Sequence, residues 1–545
     1  VKIRSVFYGV FLIVFLAALP RVEFVMASDG SEAGGGQSYD VVVYGGTAGG
    51  AVAAIAAAHE GARVALLEPR RHIGGMVSGG LGRTDFDNQI DIIGGLTREF
   101  FSRVGRHYGE PISWTFEPHV AENIFNGWLK DLGVDVFITH RLDTVDKQGA
   151  RIVSIRMDNG AAFAAKAFID ATYEGDLLAR AGVSYTVGRE GRKKYGESLA
   201  GVRAEGPFGG KQFRIPVRAF DQAGNLLPML NPIDLSEPGA SDRKVQAYNF
   251  RLCLTDRKDN QVPIERPPGY KPENYDLLRR YIAALDEAGL RCTLGNILGI
   301  SRMPNDKTDV NDTGGFSTNY VGMNWDYPEA DYQLREEIWK EHVEFTKGLL
   351  YFLGHDPDVP DHIREQMNRY GLAKDEFVDT GHWPHQLYVR EARRMIGEYV
   401  MTQADLQADR TKYDSIGMGG YNIDSMPVQR VPYCVMEFPK PYYAAVNEGY
   451  LTVPVEPYQI PYRAILPKHS ECTNLLVPTC LSASHIAYSS IRMEPQFMIL
   501  GQSAGVAAAL AAREGVPVHL LELTELQSQL REQHQILSIE DNVVR

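Results

Sequence analysis

Tyr39 to Gly50 reads YDVVVYGGTAGG, an apolar β-branched run that breaks into a cluster of glycines. Asp40-Val-Val-Val-Tyr44 has the composition of a buried central strand. AVAAIAAAHEGA (Ala51 to Ala62) follows as a helix of small residues able to pack tightly on a sheet. RVALLEP then supplies a second strand ending at Glu68, 18 residues after Gly50. Strand, turn, helix and strand in this order define a βαβ unit, and hence an α/β fold.

Each position in the loop has a physical task. Gly45 and Gly46 permit the tight turn, and Gly50 lets helix and strand approach. The first helical residues from Ala48 offer unpaired N–H groups and a positive dipole end, which suits a pyrophosphate. The Glu68 carboxylate can accept both hydroxyls of an adenosine ribose and would repel a 2′-phosphate, which disfavours NADP. Thr47 stands where a dinucleotide loop usually has its middle glycine. Its hydroxyl is expected to donate to a phosphate oxygen instead.

The next stretch separates FAD from NAD. PRRHIGGMVSGGLG (Pro69 to Gly82) places Pro69, Arg70, Gly74, Gly75 and Met76 just beyond the ribose acid. It resembles the second glycine pair of glutathione-reductase-like and fumarate-reductase-like FAD proteins, where the chain runs beside a long, extended cofactor. GVDVFITHRLDTV (Gly133 to Val145) resembles their adenine-meeting strand, near Leu142. KAFIDATYEGDLLARAG (Lys166 to Gly182) resembles their second dinucleotide motif, with Ala171 and Thr172 ending a strand and Asp176 opening a helix. Tyr173 and Glu174 stand there where a glycine is common. Near the other end of the chain, Asn474 to Gly515 reads as a buried strand, a polar loop and a helix from about Glu494 to Arg513. By the same resemblance that helix points its N-terminus at the flavin N1/O2 edge, with Ser489, Ser490, Arg492 and Glu494 at that terminus.

Taken together, YGGTAGG, GGM, FIDATYEGDLLARAG, YNFRLCLT (Tyr248 to Thr255), HWPHQLYVREARRMIGEYVMTQAD (His382 to Asp405) and SSIRMEPQFMILGQSAG resemble one family. It is the large bacterial family of FAD-dependent oxidoreductases, whose members often carry a xanthan lyase label. The resemblance spans nearly all the chain after residue 38. It implies a Rossmann-like FAD-binding domain, closest to the fumarate-reductase type, with a large inserted α+β substrate domain. The expected organisation is FAD-binding segments at 38–190 and 456–520, an insert at 191–455 and a tail at 521–545. The implied cofactor is FAD. The implied activity is hydride transfer between flavin N5 and a small organic substrate, a carbohydrate or a hydroxy or carboxylic compound, with an unidentified electron acceptor. A polysaccharide lyase and a non-catalytic FAD-binding protein stand as alternatives, although a lyase leaves Gly45 to Glu68 without a role.

Composition narrows the partners. The net charge of −13 and the lack of a basic run argue against nucleic acid. The five cysteines include no C-x-x-C pair, and DVNDTGG in the loop-like Asn305 to Asp331 stretch lacks the downstream glutamate of a calcium loop, so no metal is expected. VFYGVFLIVFLAAL (Val6 to Leu19), preceded by Lys2 and Arg4, reads as a Sec-type export signal over 1–27, with a flexible lead-in at 28–37. Export to the periplasm or beyond is expected, with an uncleaved anchor or a cytoplasmic enzyme as alternatives. No later segment reads as a membrane span. For the chemistry, His485 and His382 are the candidate bases and Arg390 a carboxylate or carbonyl partner. Leu387 to Leu406 reads as a helix carrying Arg390 and Arg394 on one face.

Overall fold

Six strands build the principal sheet: β1 (Gln37–Tyr44), β2 (Val64–Glu68), β3 (Asp135–Ile138), β4 (Leu142–Gln148), β5 (Arg151–Met157) and β6 (Ala162–Asp170). The computed structural model describes residues 37–542 apart from 85–88, 204–210, 233–234 and 437–440. The expected export signal and all but the last residue of the lead-in lie outside them. Strand order is β3-β2-β1-β6-β5-β4, and Leu475–Leu476 joins β6 as the seventh strand. β1 runs parallel to β2 and β6, and Leu475–Leu476 runs parallel to β6, so the two ends of the chain share one sheet. β4, β5 and β6 form an antiparallel meander on the far side. The stretch expected as one strand near Leu142 is instead two, β3 and β4, broken over Thr139, His140 and Arg141, with Thr139 at φ 58°.

Small residues decide how the helices cover this sheet. α1 (Ala48–His59) is buried from Ala48 to Ala57 and packs against the long helix Glu494–Glu514. A Cβ at Gly501 would lie 2.1 Å from the Gly49 carbonyl oxygen, and one at Gly505 would lie 2.2 Å from that of Ala53. The two backbones therefore touch, a separation that larger side chains forbid. Glu494–Glu514 is long and apolar enough to cross a membrane, contrary to the sequence expectation for this region, but it is buried inside the protein from Glu494 to Ala512.

The middle of the chain forms a five-stranded antiparallel sheet, in which Leu252–Thr255 lies between Lys307–Asp312 and Gly371–Ala373. The Asn305 stretch is thus partly strand, not all loop. The helix Tyr332–His355 packs on the helix Asp361–Met367. The expected helix over Leu387 to Leu406 is absent. Arg394–Met395 pairs as a short strand with Tyr185–Thr186, and only Gln403–Gln407 is helical. The reason is tertiary. Arg390, Glu391, Arg393 and Arg394 are all buried and reach Asp312, His485, Asp176 and Glu190 in different directions. A helix would have gathered them onto one or two faces. Long-range ion pairs override local propensity here.

Candidate functional site

A cleft opens over the carboxyl ends of β1, β2 and β6. It is lined by Gly45, Thr47, Glu68, Pro69, Arg70, Thr172, Tyr173 and Asp176 from the sheet side, and by Tyr327, Tyr332 and Arg335 from the middle of the chain. This is where α/β sheets bind ligands, because strand ends and helix N-termini converge there.

The loop itself is held by its neighbours. The Gly46 N–H donates to Glu68 Oε2 at 2.7 Å, and the Arg70 N–H donates to Oε1 at 2.7 Å. Two backbone amides thus fix the carboxylate with one lone pair on each oxygen left for a diol. Burial pushes the Glu68 acid up to about 7, against the pull of those two N–H groups. Thr47 corrects one expectation. Its hydroxyl donates to the Ala171 carbonyl at 2.8 Å and accepts from the Gly50 N–H at 3.1 Å, so its proton is not free for a phosphate. Thr47 is the N-cap of α1 and ties the loop to the end of β6. The N–H groups of Ala48 and Gly49 belong to the first helical turn, which an α-helix leaves without internal partners. Both residues are buried at the mouth of the loop.

The second glycine pair runs beside the first loop. The Gly74 N–H donates to the Gly46 carbonyl at 2.7 Å, and Gly74 and Gly75 have φ of 109° and 53°. A Cβ on Gly75 would meet the Tyr173 hydroxyl at 2.4 Å. That hydroxyl accepts from the Met76 N–H at 2.9 Å and donates to Glu494 Oε1 at 2.7 Å. Tyr173 therefore joins the Gly74–Met76 turn to the start of the helix Glu494–Glu514.

Other expected residues are placed differently. Asp176 lines the cleft, but Arg335 takes both its oxygens (2.6 and 2.9 Å) and Arg393 adds a third bond at 2.9 Å. The Leu142 N–H is spent on the Tyr44 hydroxyl at 2.9 Å, and the side chain is buried away from the cleft, so it is Arg141 that lines it. Ser489, Ser490 and Arg492 do not share a helix terminus with Glu494. His485–Ile491 is a separate helix, with Ser490 bonded to Tyr458 and Tyr421, and with Arg492 bonded to Asp424 and Tyr388.

Of the candidate bases, His485 is buried with both ring nitrogens engaged, Nδ1 by Glu391 at 2.8 Å and Nε2 by the Ser425 hydroxyl at 3.2 Å. Burial alone would push the Glu391 acid up, but His485 and Arg394 outweigh it and hold it down at about 2. His382 is not brought to the cleft; its Nδ1 bonds the Glu376 carbonyl. Arg390 is buried and spends its donors on the Ala247 carbonyl, Asn249 and Asp312. Glu117, His119 and Glu376 cluster at the spacing of metal ligands, but the Lys307 ammonium sits against Glu117 and Glu376 at 2.6 Å each. The lysine supplies the positive charge there.

Sequence reasoning missed Arg141, Tyr327, Tyr332, Arg335 and Glu391. Arg335 lies 159 residues from the Asp176 it binds, and no local pattern marks such a pair. Tyr173 carried a signal, since it replaces a common glycine.

The donor set suits a dinucleotide: buried first-turn amides for a pyrophosphate, a diol-accepting carboxylate, and the guanidinium-bearing Arg70 and Arg141 in the cleft wall. Fold and cleft define a Rossmann-type, FAD-binding class of enzyme. The model of the FAD dependent oxidoreductase family matches residues 40–530, and the chain belongs to that family. It is an FAD-dependent oxidoreductase, and its cofactor is FAD. No curated protein matches it. Solved structures match over shorter stretches. L-proline dehydrogenase from P.horikoshii is 16% identical over 29% of this chain and 59% of its own, with a TM-score of 0.24. THI4 from Thermovibrio ammonificans is 23% identical over 28% and 66%, with a TM-score of 0.22. OxyS anhydrotetracycline hydroxylase from Streptomyces rimosus is 18% identical over 30% and 40%, with a TM-score of 0.22. The chain spans less than two thirds of each of these proteins, and matches this partial carry no argument about substrate.

Proposed function

We propose that the cleft holds FAD with its adenosine ribose on Glu68, its pyrophosphate over the Ala48 and Gly49 amides, and its flavin toward Gly74–Met76 and the start of Glu494–Glu514. The observation that carries this reading is the convergence of buried, unpaired first-turn amides with a carboxylate already fixed by two backbone N–H groups. When bound, FAD supplies hydride transfer at N5 to or from a small organic substrate, a carbohydrate or a hydroxy or carboxylic compound. The insert at 191–455 shapes the substrate side, in a fumarate-reductase-like arrangement. Glu391 accepts the Nδ1–H of His485 and so fixes its tautomer, leaving Nε2 as the basic nitrogen. The Ser425 hydroxyl stands on that nitrogen and passes it a substrate proton. Arg390 lies over the Tyr388 ring and pins the 247–249 segment through the Ala247 carbonyl and Asn249. The N-terminal segment exports the enzyme.

The test is an absorption spectrum of the purified protein, followed by anaerobic bleaching with candidate alcohols, amines and hydroxy acids. Flavin bands that a substrate bleaches support the reading. His485→Asn should keep the spectrum and slow bleaching by about 10²–10⁴. A colourless chain that takes up no added FAD overturns it.

A further inference from the structure

Behind Tyr173, which lines the cleft, lies a carboxyl group that the protein leaves half satisfied. Glu494 is only 6% exposed and opens a helix of 21 residues. Its Oε1 accepts the Tyr173 hydroxyl proton, while Oε2 is buried with no hydrogen-bond partner. No ion pair reaches Glu494 among the described residues. A buried polar oxygen without a partner is costly in a folded protein unless something approaches it. Tyr173 itself lines the cleft, and its hydroxyl is pressed against Gly75 and bonded to the Met76 N–H. The pair thus links the second glycine turn to a helix N-terminus.

We propose that Tyr173 and Glu494 form a proton-holding pair at the flavin end of the cleft, so that reduction of the bound cofactor is coupled to proton uptake by the Glu494 carboxyl. This rests on the placement of FAD given above. Two electrons arrive from the reductant and reside on the cofactor; the proton comes from water and forms the O–H bond of Glu494. Added negative charge beside a carboxyl group raises its hold on a proton.

The surroundings favour this. Burial pushes the Glu494 acid up to about 8, with the Tyr173 hydrogen bond pulling the other way. Tyr388 faces Tyr173 from the 387–402 segment. Arg492, two residues before Glu494, is committed to Asp424 and Tyr388. The part of α1 packed nearest, Ala48 to Ala53, carries no ionisable group. Glu494 is therefore neutral below about pH 8. Above that pH it is ionised in the oxidised protein and regains its proton on reduction.

The experiment is a dye-equilibrated reductive titration of the flavin-bearing protein from about pH 6 to 10, in wild type, Glu494→Gln and Tyr173→Phe. In wild type, the potential-versus-pH line should steepen around pH 8 by one proton per two electrons relative to Glu494→Gln. Tyr173→Phe should keep the steepening and move it to higher pH, because the hydroxyl that stabilises the carboxylate is gone. Identical lines for wild type and Glu494→Gln overturn the proposal while leaving the FAD assignment intact. A protein with no flavin overturns both. Should Glu494→Gln fail to fold, the direction of the Tyr173→Phe shift decides alone, and an unmoved line counts against the pair.

Discussion

The two halves of the cleft wall are built by opposite means. On the sheet side, backbone does the work: amides of Gly46, Arg70 and Met76, the first turn of α1, and glycines that let Gly49 and Gly501 touch. On the other side, buried charge does it: Arg335 reaches across to Asp176, and away from the cleft the same device recurs in Arg393 on Asp176, Arg394 on Glu190 and Glu391, and Arg189 on Asp242 and Glu448. A backbone site is specified by a short local sequence. A charge-built site is specified only by partners that meet in three dimensions. The first side tolerates little change in size, and the second little change in charge.

The largest effect should come from the charged side. Arg394→Met leaves Glu190 and Glu391 buried without their guanidinium, which should cost about 3–5 kcal/mol in urea unfolding. A loss below about 1 kcal/mol would mean these pairs do not hold the region together.

Acid should expose the same network. Glu391 is held near 2, below an ordinary carboxyl value of 4.5. A depressed acid contributes stability that is present above the unfolded value and lost as pH falls through the folded one. About 3 kcal/mol should therefore drain away between about pH 5 and 2. Glu391→Gln should lack that part of the acid slope in stability measured against pH.

On the backbone side, Gly501→Ala forces a methyl group to within 2.1 Å of the Gly49 carbonyl. It should cost about 1–3 kcal/mol and lower the flavin content of the purified protein, because the α1 N-terminus must shift. If thermal stability falls while flavin content stays at the wild-type level, the helix contact is separable from the cofactor loop.

The smallest effect is at the helix cap. Thr47→Ala should cost about 1 kcal/mol and weaken FAD binding several-fold, and Thr47→Ser should recover most of both. A serine variant no better than alanine would contradict the capping role.

What could be read from the sequence divides along the same line. Tyr39 to Gly50, Glu68, the Gly74-Gly75 pair and the apolar helix after Glu494 each announce their role through spacing, because strand, turn and helix N-terminus are local objects. These gave the α/β class, and the two FAD-binding segments at the chain ends and the cofactor FAD followed from the family resemblance. Leu387 to Leu406 misled, since its helical look reflects residue types whose buried partners lie 78 to 217 residues away. The role of the Thr47 hydroxyl was likewise settled by Ala171, 124 residues on.

The sequence by itself determined the strand, glycine turn and helix N-terminus of the first loop, because helix N-terminal amides and glycine turns need only a few consecutive residues. Only the tertiary structure decided what surrounds it: Arg335 on Asp176, Glu391 on His485, Tyr173 between Met76 and Glu494. Those contacts depend on desolvated charges and hydroxyls finding each other across the chain, and no period or spacing in a linear sequence encodes such a meeting.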